Sequence, residues 1–303
     1  MAFAAFGSSA PTTKGQTKSG RVVLALLLPG LLYLALFFVI PLISLVMTSL
    51  EVPDASGKIG QYVPGFDFGN YAYVVGKYLP QIGRSFGYAL VATIIALLIS
   101  YPLAYFIGVK LRNRQMLQRM MVTLVIAPFF ISFLLRTIAW KQLLADHSVI
   151  MEWAHQVGLM APDQSFIGSD AAVVFGLVYN FIPFMTLPLY TSLERLDLRY
   201  LEAGSDLYAS PARVFRKVTL PLSMPGIISG TLLTFIPIAG DYVNASRDFL
   251  GSSKTSMIGT MVDADFLQTK NYPAASAMSV VLMGLILVLV TWYVRKSGTE
   301  DLL

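Results

Sequence analysis

The chain has 303 residues, 55% of them apolar and only 13% charged, with 22 Lys and Arg against 17 Asp and Glu and no cysteine. A soluble domain carries about 25% charged residues, so water-facing surface is scarce, and the missing cysteines exclude a disulfide framework, a thiolate metal site and a Cys nucleophile. The basic excess fits loop charges that orient a membrane protein rather than a nucleic-acid binder.

Residues 1–20, rich in Ala, Ser, Thr and Gly, are predicted to be a disordered cytoplasmic tail. A transmembrane domain follows over 21–296, and a second cytoplasmic tail over 297–303. A bilayer-spanning helix needs about 20 mostly apolar residues, and windows between charges meet that need at 22–50, 85–109, 171–193, 218–240 and 271–294. The first window is longer than the apolar part of a secretory leader and no small-residue cleavage site follows, so it reads as an uncleaved helix. A sixth window, 120–135, is shorter, and continuing it through Thr137, Ile138, Ala139 and Trp140 places Arg136 inside a span or at its end. Arg136 then either snorkels to the interface or faces a bundle interior or wet cavity.

Pro29, Pro41, Pro102, Pro128, Pro183, Pro188, Pro225 and Pro237 all fall within these spans. Each removes a backbone hydrogen bond, a loss tolerated in lipid where neighbouring helices or a wet cavity satisfy the freed carbonyl. The pattern leans toward a transport pathway over a simple anchor.

Positive charge sets the orientation. The N-terminal tail, the loops 110–119 and 194–217, and the pair Arg295 and Lys296 together hold fourteen of the 22 Lys and Arg. By the positive-inside tendency these segments, and so both termini, are cytoplasmic. The remaining connections are long and aromatic. Tyr62, Phe66, Phe68, Tyr71, Tyr73 and Tyr78 precede the second span at the depth of an aromatic belt. Ile150, Trp153, Ala154 and Val157 follow helical spacing ended by Gly158, which predicts a short amphipathic helix on the outer interface. Either segment is also open to an extracellular partner. His147 and His155 lie in this stretch with no neighbouring carboxylate pattern, which argues against a metal site.

The loop 194–221 is more than a connector. It mixes five basic and four acidic residues with a helical apolar pattern: Tyr200, Ala203, Gly204, Leu207 and Tyr208 fall on one face of a short helix that Asp197 can cap. Ser210 and Pro211 restart a second helix, as N-cap and first-turn residue, lined by Val214, Phe215 and Val218. The expected pair of cytoplasmic helices offers small residues for close approach, and Leu207, Tyr208 and Phe215 as knobs for a partner's groove.

Here the sequence resembles a known family. Glu202-Ala203-Gly204, followed at the right distance by Val218-Thr219-Leu220-Pro221, is similar to the EAA loop of ABC importer permeases. The resemblance implies an all-α integral membrane protein of type I importer architecture in the bacterial cytoplasmic (inner) membrane, with six transmembrane helices. It also implies that Glu202, Ala203, Gly204, Leu207, Tyr208, Phe215, Leu220 and Pro221 dock an ABC ATPase dimer. Gly204 stands where the pattern has a second Ala, and Tyr208 where it has Gly. The runs 128–140 and 235–243, with 257–260, 266–267 and 271–277, resemble the spermidine/putrescine branch, and permeases for opines, amino-acid derivatives or other organic ions share parts of them. The resemblance further implies a second homologous permease, forming a heterodimer, and an extracytoplasmic substrate-binding protein. ATP and Mg would be bound by the partner ATPase, with no cofactor in this chain.

A polyamine pathway needs carboxylates or carbonyls for ammonium groups and aromatic faces for cation–π contact. Asp241 and Tyr242 offer both at the outer end of the fifth span, and Asn244, Tyr179 and Asn180 add polar groups. Asp241 reads either as an ordinary interfacial charge or as a substrate contact. Tyr179 and Asn180 read either as interhelical hydrogen-bonding groups or as pathway residues, with Arg136 a further pathway candidate. No G-x-x-x-x-G-K-[ST] occurs, since the run 251–255 lacks the Gly before Lys. A catalytic triad or zinc hydrolase site has little material to draw on, so the energy must come from a partner. The rival reading, an ion-coupled secondary carrier, predicts ionisable residues deep in the spans and internal repeats, and no repeat is evident.

Overall fold

The computed structural model describes residues 20–161 and 164–296. The expected tails 1–20 and 297–303 lie outside the described residues, apart from Gly20.

Up to Met47 the chain forms a unit of its own. Its described residues form α1 (Gly20–Leu34), a π-helical turn at Ala35–Val39 and all but the last residue of α2 (Ile40–Thr48). The apolar stretch Val23–Thr48 is 26 residues, long enough to cross a membrane. Its π turn has a local cause. Pro41 offers no amide proton and its ring crowds the carbonyl four residues back, and the Ile40 amide bonds Ala35 O, five back, instead.

The second unit runs from Thr48. A small antiparallel ladder, β1 (Val52–Pro53) with β2 (Tyr62–Val63), precedes α3 (Gly69–Tyr105). With a π turn at Phe106–Lys110, α3 forms a continuous 42-residue span candidate. It is longer than the window 85–109, so Tyr71, Tyr73 and Tyr78 are helical rather than part of a connection. Lys77 and Arg84 end the apolar window without ending the helix, because Lys77 is accommodated at the surface, its Nζ 2.6 Å from Tyr73 Oη.

The expected third span is not straight. α4 (Gln115–Ile126) tightens into a 3₁₀ turn at Ala127–Phe130, and after an extended Ile131 and Ser132 the chain turns into α5 (Phe133–Leu143), bent by 93°. Pro128 starts the tight turn and the extended pair ends it. The short amphipathic helix is α6 (Val149–Gln156), capped by Ser148 Oγ and followed by Gly158 at φ +75°. α7 (Asp170–Glu194) begins at the Ser169 cap and keeps Pro183 and Pro188 inside it.

Beyond it come α8 (Arg199–Asp206), α9 (Pro211–Val214), a π turn at Phe215–Thr219, α10 (Leu220–Leu222) and α11 (Met224–Ala239). The expected single window 218–240 is instead a pair bent by 64°. Its π turn repeats the arrangement at Pro41, here ahead of Pro221. α12 (Ile258–Leu267) and α13 (Tyr272–Lys296) complete the described chain. Among the described residues four helices are long and apolar enough to cross a membrane, and up to six spans result if each bent pair counts as one.

α3, α7 and α11 pack on one another, and α13 packs on α3 and α12. Ala89 and Ala92 of α3 meet Val173, Leu177 and Phe181 of α7 and Ile238 of α11 in the central cluster. Small residues set the spacing. A Cβ on Gly226 would stand 2.6 Å from Ser192 Cβ and 2.8 Å from Pro188 O, so α11 lies against the α7 backbone with no room for a side chain. Gly226→Val is therefore expected to force the two helices apart at a cost of about 1–3 kcal/mol. A thermal melt of the detergent-purified chain should show an apparent Tm several degrees lower, and an unchanged Tm would contradict this packing.

Candidate functional site

The loop between α7 and α11 is tied down at both ends. At its start Arg112 Nη1 donates to Leu196 O (2.6 Å), while Tyr190 Oη (2.6 Å) and Gln118 Nε2 (3.1 Å) donate to Glu194 Oε1. At its end Tyr101 of α3 shares a hydrogen bond with Ser223 Oγ (2.8 Å), and its ring meets Phe215 edge-on at 5.5 Å. Phe215 is thus partly engaged by its own chain.

Between these anchors the amide of Arg199 bonds Asp197 Oδ1 (3.0 Å), as the predicted cap requires. The expected shared face of α8 divides. Gly204 turns inward against α9, where a Cβ would come within 2.9 Å of Val214 Cγ2, which is why an Ala would not fit unchanged. Tyr200, Glu202 and Ala203 are exposed, Leu207 is 81% exposed and Tyr208 98%. The Ala209 amide bonds Gly204 O (3.1 Å), six-to-one across the helix end, and Tyr208 takes φ +54°. That is the left-handed position of a Schellman motif, which Gly fills without steric cost. Leu220 is half-buried and Pro221 exposed. An apolar groove of about 920 Å³ opens beside the loop, lined by α7 and α11 residues with Phe129, Arg195 and Tyr200.

A second polar assembly joins the other ends of the same two helices. Asn180 Nδ2 donates to Thr137 Oγ1 and to Asn244 Oδ1, both at 3.1 Å. Asn244 in turn donates to Asp241, from its backbone amide (2.8 Å) and from Nδ2 (3.1 Å). Asp241 is only 7% exposed, and burial pushes its carboxyl up to about 6 against the opposing pull of the Asn244 donors. Arg136 is 8% exposed, with Nε and Nη1 unpartnered among the described residues and its guanidinium 5.8 Å from the Phe133 ring centroid. It is thus buried within the chain, beside Phe133. Tyr179 packs edge-on against Trp140 at 5.1 Å. Tyr242 is 53% exposed and, with Asp241, Ser132, Phe133 and Pro237, lines a cavity of about 490 Å³. Asp241, Asn244 and Asn180 are therefore one connected chain, while Arg136 and Tyr179 stand apart from its hydrogen bonds.

Residues 96–296 match the family described as binding-protein-dependent transport system inner membrane component. The chain belongs to that family. The spermidine/putrescine transport system permease protein PotB of Haemophilus influenzae is 32% identical over 281 residues, covering 92% of this chain and 94% of that protein. Its namesake in Escherichia coli K12 is 33% identical over 264 residues, 86% of this chain and 93% of that one. In fold, the chain is similar to one from the crystal structure of a bacterial ABC transporter involved in import of the acidic polysaccharide alginate. That match has a TM-score of 0.67 at 17% identity, covering 93% of this chain and 96% of that one. A chain of the MetNI methionine ABC transporter matches with a TM-score of 0.51 at 18% identity, over 72% of this chain and 92% of that one.

This permease is thus a multi-pass inner membrane component of a transporter and not a catalytic subunit. Its anchors were not legible as sites. Tyr101, Arg112, Gln118 and Ser223 act across separations of 76 to 122 residues, and no local pattern marks such pairs. Thr137 falls in the run 128–140, where its hydroxyl reads like any other in a span.

Two outcomes test these geometries. Tyr208→Gly should relieve a left-handed strain of about 1–2 kcal/mol and slow amide exchange across residues 199–209 in the purified chain. Faster exchange would show that the tyrosine ring supports the loop. Asn244→Ala leaves Asp241 and Asn180 short of partners and should cost about 1–3 kcal/mol, read as a lower Tm than that of the unsubstituted chain.

Proposed function

We propose that this chain is the translocating permease subunit of an ATP-driven importer of polyamines, spermidine/putrescine-like solutes or related small organic cations. The observation that carries this reading is similarity along nearly the whole chain to permease proteins named for spermidine and putrescine transport. The basic loops and both termini lie in the cytoplasm, in line with the charge distribution. There the 194–221 loop docks one subunit of an ABC ATPase dimer, which supplies the ATP and Mg chemistry. Exposed Glu202, Leu207 and Tyr208, held on a loop anchored at both ends, support that role. A second, homologous permease completes the pathway, and an extracytoplasmic binding protein delivers the solute. ATP-driven closure of the ATPases moves the coupling helices, and the spans alternate between inward and outward access.

Asp241 is the proposed carboxylate for a solute ammonium, with Tyr242 as its aromatic face. The cavity beside them gives an ammonium a route to both. Asn244 and Asn180 orient that carboxylate, and Tyr179 and Arg136 flank the route.

Uptake of radiolabelled spermidine should be tested in cells lacking their own polyamine uptake and expressing the whole system. Saturable, ATP-dependent uptake is expected, with Glu202→Ala weakening co-purification of the ATPase and Asp241→Asn lowering uptake in an assembled complex. Unchanged uptake with Asp241→Asn would remove its substrate role. Transport by the chain reconstituted alone, driven by an ion gradient, would refute the reading as a whole.

A further inference from the structure

A separate cavity of about 430 Å³ lies between the β1–β2 ladder, the start of α3 and the α12–α13 connection, lined among others by Asp54, Tyr62, Tyr73, Lys77 and Asp265. No residue of the loop or of the Asp241 chain takes part in it. Asp265 is the unusual member. It is only 7% exposed, yet its side chain is met by hydroxyls alone among the described residues: Tyr78 Oη donates to Oδ2 (2.8 Å) and Thr269 Oγ1 to Oδ1 (3.2 Å). A buried carboxylate is costly unless a cation or a full set of donors compensates it. Two neutral donors leave acceptor capacity free on both oxygens.

The walls suit a cation. Tyr62 is set edge-on to Tyr272 at 6.1 Å, and Phe266 packs on the same Tyr272 ring at 5.1 Å, which fixes the aromatic side. A cation already sits on two further rings beside the cavity: Lys77 Nζ is 2.6 Å from Tyr73 Oη and 4.9 Å from the centroids of both Tyr73 and Tyr78. The Tyr78 hydroxyl that donates to Asp265 thus belongs to a ring under the Lys77 ammonium. At the hairpin, Asp54 is held below its ordinary carboxylate range by the Ser56 hydroxyl and amide, so a second negative charge lines the cavity. Primary ammonium is the chemistry that fits: three donors for carboxylate and hydroxyl oxygens, and a charge that favours an aromatic face.

We propose that this cavity binds a primary alkylammonium group, with Asp265 as the counter-charge, Tyr62 and Tyr73 as the walls, and Lys77 as a tethered ammonium that an incoming one displaces. The identity of the solute rests on the polyamine reading above, under which the cavity lies on the extracytoplasmic side and forms a first contact distinct from Asp241. Lys77 then has a definite consequence. It competes with the guest, so removing it should tighten binding, whereas a lysine serving only to hold the helix surface would not.

The test uses the assembled transporter in lipid nanodiscs without its binding protein, with radiolabelled putrescine and n-butylammonium as probes in equilibrium binding. Lys77→Met should tighten both probes by about threefold to tenfold, and Asp265→Asn should weaken them by about tenfold or more. Tyr62→Leu, which leaves the buried carboxylate paired as before, should weaken them by about twofold to fivefold and stands in if Asp265→Asn fails to assemble. Affinities unmoved by Lys77→Met and Tyr62→Leu overturn the proposal. Spermidine uptake measured alongside separates the two readings. Variant-sensitive binding of n-butylammonium without spermidine uptake keeps the cavity and discards the polyamine assignment. Uptake with variant-insensitive binding does the reverse.

Discussion

The close approach of α7 and α11 is the constraint on which both candidate sites depend. Gly226 sits against the Pro188 carbonyl, and a Cβ on Gly230 would come within 3.0 Å of Met185 O, so the two helices touch through backbone over more than a turn. In lipid such contact has no water-driven hydrophobic term behind it, and close van der Waals packing of small residues takes its place. The loop joins one end of this pair and the Asp241–Asn244–Asn180 chain bridges the other. A displacement of the loop relative to α7 therefore has a stiff route to the polar chain. The two sites are opposite ends of one helical hairpin.

At several breaks in the helices the backbone is re-bonded locally. Ahead of Pro41 and Pro221 the chain widens into π turns, with amides bonding carbonyls five residues back, as at Ile40 and Leu220. Where α10 gives way to α11, the Ser223 hydroxyl bonds Leu220 O (3.0 Å) and meets Tyr101. These are the local repairs that allow interrupted helices at membrane depth. They also place the bends where the sites are: the 64° bend carries the loop into α11, and the 93° bend brings Thr137 to Asn180.

Hydropathy marked the apolar stretches well because lipid imposes length and composition on each one. It carries no direction, so the bend at Ile131 and Ser132 is invisible inside a largely apolar run. The reverse error arose at α3, where Lys77 and Arg84 ended a window but not a helix. A charge bounds a window only if its side chain cannot reach a compatible surface, and Lys77 reaches Tyr73. At the sites, Asp241, Asn244 and Asn180 stood out as polar groups among apolar neighbours, and they do form one assembly. Asp265 did not stand out, since its partner Tyr78 is 187 residues away and was counted among aromatic belt residues.

The two departures of the loop from its family's pattern have opposite physical meanings. Gly204 replaces Ala at a point where α8 and α9 touch, and there the smaller residue lets Val214 pack closely. Tyr208 replaces Gly at a left-handed position, where an L-residue is strained by about 1–2 kcal/mol, yet its side chain is 98% exposed. Among the described residues no contact of that ring offsets the strain. The loop thus turns its fitted residues, Gly204 and Phe215, toward its own chain and leaves Leu207 and Tyr208 outward. Under the proposed docking, the strained residue is the one presented to the ATPase. There, burial of its large aromatic ring at the interface would offset what the chain loses at this position.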